Sequence, residues 1–259
     1  LADYDETNSE VLAWWKFDEL NRTLNDGDSI TTVSDSGPNG LTLTAANGIA
    51  FDADGLNDKG MAIMTGNDDR FTTPDSDSLN WGTDLLEMYI VWKPSLTGAG
   101  HTQFRFYDKR ATAAQQRVEW YHNIASGRGG TNYEMRIRRS SLKIGNNFQL
   151  TDGTGYIHSV GQVDGTVDFY RNGTADGTPS GSVTGDMDNN GVLTIGNHTT
   201  SDQSISGSIG EFIIIKHTAT GASIREKIEG YLANKWGIDL PSGHTYETDP
   251  PRRSSVYTG

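Results

Sequence analysis

Cysteine is absent, so neither a disulfide framework nor a cysteine-ligated metal can hold this chain together. At 259 residues it needs no such staple, because a fold of this size buries roughly 70% or more of the surface its unfolded chain exposes. No stretch approaches the ~20 apolar residues of a membrane-spanning helix, which argues against membrane insertion. No basic-then-apolar opening marks a signal peptide. Basic charge is scarce: 21 Lys and Arg against 34 Asp and Glu leave a net charge of −13, which argues against general nucleic-acid binding. Catalytic signatures are missing too. No strand carries the alternating carboxylates of a glycan-cleaving cleft, and no Gly-x-Ser-x-Gly elbow occurs. The six histidines show no His-x-x-x-His spacing, which makes zinc a poor fit. The chain reads as a non-enzyme.

What the sequence does contain is glycine, 31 residues of it, against an apolar fraction of only 34%. That balance suits short strands joined by many turns. The organising stretch runs from Ile157 to Ile215. Val167 and Phe169 alternate with Asp168 and Tyr170, as a half-buried strand requires. Asn172-Gly173 follows at once, the pair of residues that a tight hairpin turn demands at positive φ. After a run rich in Gly, Asp and Asn comes a short strand near Val192, then Phe212-Ile-Ile-Ile215. This last run has no polar gap and predicts a strand covered on both faces.

The chain opens on Val11-Leu-Ala-Trp-Trp-Lys-Phe17, whose adjacent tryptophans predict cover on both faces, with Leu12 and Trp14 on one side and Val11 and Trp15 on the other. Asp35-Ser-Gly-Pro-Asn-Gly40 is a turn. Leu85 to Pro94 predicts a central strand with Leu86, Met88, Ile90 and Trp92 on one face, stopped by the proline. Gln103–Asp108, Arg117–His122 and Tyr133–Arg138 predict three more strands. Their buried sets are Phe104 and Phe106, Val118 and Trp120, and Tyr133, Met135 and Ile137. Late in the chain Ile224, Ile228, Tyr231, Leu232 and Trp236 recur at helical spacing. A capping box from Ser223 to Glu226 and a terminating Gly237 complete the pattern.

These motifs, in this order, resemble the laminin-G-like, concanavalin-A-like jelly-roll superfamily. The matching passages are Trp15-Lys-Phe-Asp-Glu19, Asp35–Thr44, Phe71–Asn80, His158–Thr174, Leu193–Asn197 and Gly207–Ile215. The passage from Ile224 to Pro251 resembles terminal segments of such modules in bacteriophage and marine bacterial exterior proteins. The resemblance implies an all-β, two-sheet antiparallel jelly-roll sandwich with one C-terminal α-helix packed on its edge. Residues 11–251 then form one domain, with an arm at 1–10 and a polar tail at 252–259.

The function so implied is a non-catalytic, lectin-like module on an extracellular or virion surface, with a polysaccharide or glycan as partner. The alternative is a virion assembly protein that uses the sandwich as a rigid block against capsid or tail subunits, as a homo-oligomer. Sugar binding needs stacking rings and planar hydrogen-bonding groups. Tyr107 and Tyr121, out of phase with the buried sets, are the expected platforms. Arg105, Arg136 and Arg138 share one parity, and His122 lies beside them. They belong to a segment, His101 to Gly145, with nine basic and three acidic residues. A set of solvated outward positions explains that segment equally well. The resemblance further implies a structural Ca2+ with Asp35 and Glu211 among its ligands, although Asp35 in a turn also caps backbone without any metal.

Overall fold

Alternating side chains separated by turn residues dictate strands, and strands dominate. The structure is a computed structural model that describes residues 10–65, 68–80, 82, 85–96, 103–110, 117–124, 133–138, 142–148, 150–163, 166–175, 188–197, 205–217 and 222–248. Residues 1–9 of the expected arm and the tail at 252–259 lie outside these. The first half contains β1 (Val11–Lys16), β2 (Thr32–Val33), β3 (Leu43–Ala46), β4 (Ala50–Leu56), β5 (Lys59–Thr65), β6 (Arg70–Thr73), β7 (Leu85–Pro94), β8 (Gln103–Arg110) and β9 (Arg117–Ile124). The second half contains β10 (Tyr133–Arg138), β11 (Leu142–Phe148), β12 (Tyr156–Val163), β13 (Thr166–Arg171), β14 (Thr174–Ala175), β15 (Leu193–Ile195) and β16 (Ser206–His217), then α1 (Ala222–Trp236). Asn172 and Gly173 both take positive φ between β13 and β14, the hairpin that Asn-Gly predicts.

Two antiparallel sheets result, as expected. One runs β14-β13-β12-β7-β16-β5-β4, and the other β11-β10-β9-β8-β15-β6-β3-β2. β16 is the spine of the first. It pairs with β7 along one edge, and on the other with β5 near its start and β1 further on. Phe212 and Ile214 face the core between the sheets. Ile213 and Ile215 face a second core with Val91 and Tyr89 of β7 and Ile228, Leu232 and Trp236 of α1. All four residues from Phe212 to Ile215 are fully buried, each contributing about 1.5–3 kcal/mol. The helix therefore lies over the central strands of the first sheet rather than at a sheet edge, because those strands are apolar on both faces. It runs from Ala222, and the Ser223 side chain of the expected capping box lies outside the described residues. Among the described residues no helix is long and apolar enough to cross a membrane.

Alternation fails where the ladder slips. The β1–β16 register shifts between Val11 and Ala13. Leu12 consequently joins the sandwich core and Val11 the helix-side core, opposite to strict alternation.

One carboxylate joins sheet, first strand and helix. Glu211 of β16 is fully buried just after a register shift at Ile209. Its Oε1 accepts from Trp14 Nε1 at 2.5 Å and from the Tyr231 hydroxyl at 3.1 Å. Its Oε2 accepts from Trp236 Nε1 at 2.8 Å and lies 2.8 Å from Lys235 Nζ. Lys235 also reaches Asp18 at 2.7 Å. Burial works against its ammonium, but Glu211 and Asp18 outweigh that and raise its pKa above the ordinary lysine value. Gly210 makes the approach possible, since a Cβ there would stand 2.5 Å from the Trp236 ring. Glu211→Ala takes this acceptor from the Trp14 and Trp236 indoles and the Tyr231 hydroxyl and leaves Lys235 with Asp18, and about 3–5 kcal/mol of stability should be lost in urea unfolding. Gly210→Ala should also destabilise, because the indole must move.

Candidate functional site

On β9, Val118 and Trp120 enter the core between the sheets, so Glu119 and Tyr121 point away from it. Backbone register extends that outer face across three strands. Arg105, Tyr121 and Arg136 form one cross-strand row, and Asp108, Glu119 and Arg138 the next. Gln103, Asn123 and Glu134 form a third. Three of the sequence-predicted residues thus share a row, with Arg138 in the row beside it. Arg136 and Arg138 are placed by the backbone, and their side chains lie outside the described residues, as do those of Tyr133, Met135 and Ile137.

The floor of this face is ionic. Arg105 Nη1 lies 2.9 Å from Glu119 Oε1 and 3.5 Å from Asp108 Oδ2. Arg110 Nε donates to Asp108 Oδ1 at 2.9 Å, and its Nη2 also reaches Glu119. Arg105 sits 4.9 Å from the centroid of the Tyr121 ring, a cation–π contact. Burial raises the Asp108 carboxyl above its usual pKa, and the two guanidinium groups only partly offset it. With Arg105 4% and Tyr121 5% exposed, these two are a packed floor rather than a projecting platform.

Two expected contacts are corrected. The β8–β9 register shifts between Arg105 and Tyr107, so Tyr107 follows Phe106 into the core. Its ring stacks on Phe212 at 6.5 Å and 17°, out of reach of a glycan. His122 continues the inward phase of Val118 and Trp120 and is also fully buried. Its ring centroid is 6.2 Å from Trp92 and 5.9 Å from His158. Trp92 Nε1 donates to His158 Nδ1 at 3.2 Å.

The residues expected to hold calcium have other partners. Asp35 Oδ1 accepts from the backbone N–H of Trp14 at 2.7 Å and Gly37 at 2.8 Å, and Oδ2 from Leu41 at 3.1 Å. Glu211 accepts two indoles and a phenol beside an ammonium. Neither donor set fits a cation: Asp35 caps its turn and Glu211 holds the helix. Among the described residues no three His, Cys, Asp or Glu gather as a metal site.

No protein-family model and no curated protein sequence matches the chain. Solved structures do match its fold. Domain 4 of an extracellular arabinanase from Geobacillus stearothermophilus, in complex with arabinotriose, is similar with a TM-score of 0.55 at 18% identity, over 80% of this chain and 92% of that one. The binding domain of Paraclostridial Mosquitocidal Protein 1 gives 0.62 at 13%, over 89% of this chain and 56% of that one. The binding domain of botulinum neurotoxin serotype G gives 0.61 at 12%, over 89% and 54%. The chain spans about half the length of the two toxin binding domains. At these identities the likeness is one of fold.

The core histidines set a pH dependence. Burial lowers the pKa of His122 to about 3, while burial first, then His122 and Arg171, hold that of His158 well below the ordinary value. Unfolded, each ring takes up its proton near pH 6.5. Stability is therefore complete above about pH 6.5 and falls as the pH drops toward the folded values, by up to roughly tenfold in the unfolding constant per pH unit and histidine. Urea midpoints between pH 7.5 and 4 should show this, and His122→Gln should remove about one proton from the slope. Arg105→Ala, which strips two buried carboxylates of a partner, should cost about 3–5 kcal/mol in the same assay.

Proposed function

We propose that this chain is a non-catalytic carbohydrate-binding module displayed on an exterior surface, and that its glycan lies across the outer face of β8, β9 and β10. The observation that carries this reading is the pair of rows Arg105–Tyr121–Arg136 and Asp108–Glu119–Arg138 on one sheet face. Planar hydrogen-bonding groups in register match the spaced hydroxyls and carboxylates of a polysaccharide. Arg105 and Arg110 are spent on the acidic pair beneath them, which leaves Arg136 and Arg138 as the ligand-contacting arginines. An anionic glycan suits that charge. Cleavage does not fit: Asp108 and Glu119 are both held by guanidinium groups, so neither is placed as acid or nucleophile.

The fold supports the reading by analogy, since it also serves a domain solved with arabinotriose and two toxin binding domains. A virion decoration or tail subunit is the setting that the resemblance of the C-terminal passage suggests. Its neighbours would be capsid or tail proteins and further copies of the chain.

A glycan array and polysaccharide pull-down on the purified chain, with calcium and with chelator, test this. Binding to an anionic glycan should fall at least about tenfold in Arg136→Ala and in Arg138→Ala, with unfolding free energy within about 0.5 kcal/mol of the parent. Loss of binding in chelator would add a calcium ion to the reading. No binding to any glycan, together with a defined oligomer that persists in chelator, would overturn it in favour of an assembly block.

A further inference from the structure

The outer face of the first sheet is only partly covered by α1. Two residues beyond Val91 along β7, the strand reaches Lys93, and there an open groove of about 480 Å3 crosses β5, β16 and β7. That volume lies within the roughly 300–1,000 Å3 of small-molecule sites. Two cross-strand rows floor it: Thr65 beside Ser206, and Ile63, Ser208 and Lys93 in line. Gly207 separates the two serines at φ 136°, where a Cβ would stand 2.2 Å from the Lys93 carbonyl, so a glycine there lets β16 and β7 approach closely. Asp52 of β4 and Asp152 complete the walls.

Ser206 and Ser208 are each 6% exposed, and among the described residues neither hydroxyl has a hydrogen-bond partner. Both hydroxyls open onto the groove side by side, where a ligand can meet them. The walls define what could satisfy them. Asp152 accepts from the Leu96 N–H at 2.6 Å through Oδ1. Lys93 Nζ stands 4.0 Å from Asp52 and donates to the Gly55 carbonyl. An anion would meet two carboxylates, and a bare cation would meet the Lys93 ammonium. A neutral ligand with closely spaced hydroxyls meets neither penalty, because each of its groups can both donate and accept.

We propose that this groove is a binding site for a neutral saccharide, held by Ser206, Ser208, Asp52 and Lys93. It lies on the sheet opposite to the arginine-bearing face and does not depend on it, so the module would hold two glycan segments of different charge at once. Removing the serine hydroxyls separates a ligand role from a structural one. Replacing groups that the fold leaves unpartnered should not weaken the fold, and should weaken binding.

The intact chain is titrated with arabinotriose, maltotriose and mannotriose, up to about 10 mM, by calorimetry and by amide chemical shifts. At least one trisaccharide should shift the amides of Thr65, Lys93, Ser206 and Ser208. The double substitution Ser206→Ala, Ser208→Ala should weaken that binding at least about tenfold, with a thermal midpoint unchanged or raised. Asp52→Asn should weaken it as well, and Arg136→Ala should bind as the parent does. No shift at these amides with any of the three sugars would overturn the proposal, as would parent-like affinity in both the double variant and Asp52→Asn. Either result would leave the anionic-glycan reading of the other sheet intact.

Discussion

The Glu211 carboxyl has no access to water, and its burial is tolerable because four separate side chains meet it. Two tryptophans, a tyrosine and a lysine come from β1 and α1, elements almost at opposite ends of the chain. Lys235 also reaches Asp18, and the two indoles and the phenol converge on this one carboxylate, so the contacts support one another. With the clamp in place, α1 is fixed against the outer face of the first sheet. The unbroken apolar run of β16 then has cover on both sides. Without it, Ile213, Ile215 and Val91 would face solvent.

The second sheet manages charge in a different way. Its outer face pairs Asp108 and Glu119 with Arg105 and Arg110 on a tyrosine ring, and these groups hold one another in place. Groups held in such mutual contacts are pre-organised, and pre-organisation lowers the cost of binding. The two sheets therefore differ in kind. One is partly covered by a helix, with a hydroxyl-lined groove beside it, and the other packs a patterned ionic layer on its outer side.

Much of this was legible in the sequence wherever the signal was local. Asn172-Gly173 and the alternation of Leu86, Met88, Ile90 and Trp92 depend only on neighbouring residues, and they came out as read. Tyr107 did not, because a one-residue slip in its strand reverses the phase on which its exposure was judged. His122 was readable by its own phase with Val118 and Trp120, but its chemistry drew it into the ligand set. Glu211 was expected to hold calcium, and its partners in the structure are two indoles, a phenol and an ammonium. Its partners sit in a helix some twenty residues on and in a strand 197 residues before it, which no local pattern reveals. The pair Ser206 and Ser208 carried no signal at all. Two serines beside a glycine look like any turn until three strands bring Thr65, Lys93 and Asp52 around them.

The pairing of β1 with β16 also governs how the protein is made. Trp14 leaves the ribosome 197 residues ahead of Glu211. At roughly 5–20 residues per second, it and its neighbour Trp15 wait about 10–40 seconds for the strand that buries them. Through that interval the first strand is an apolar segment with an unpaired edge, at the mercy of any other nascent strand it meets. Both cores include residues of β16, so neither can close before that strand is made. The order of synthesis thus leaves the two tryptophans of β1 without their partner strand until β16 has emerged.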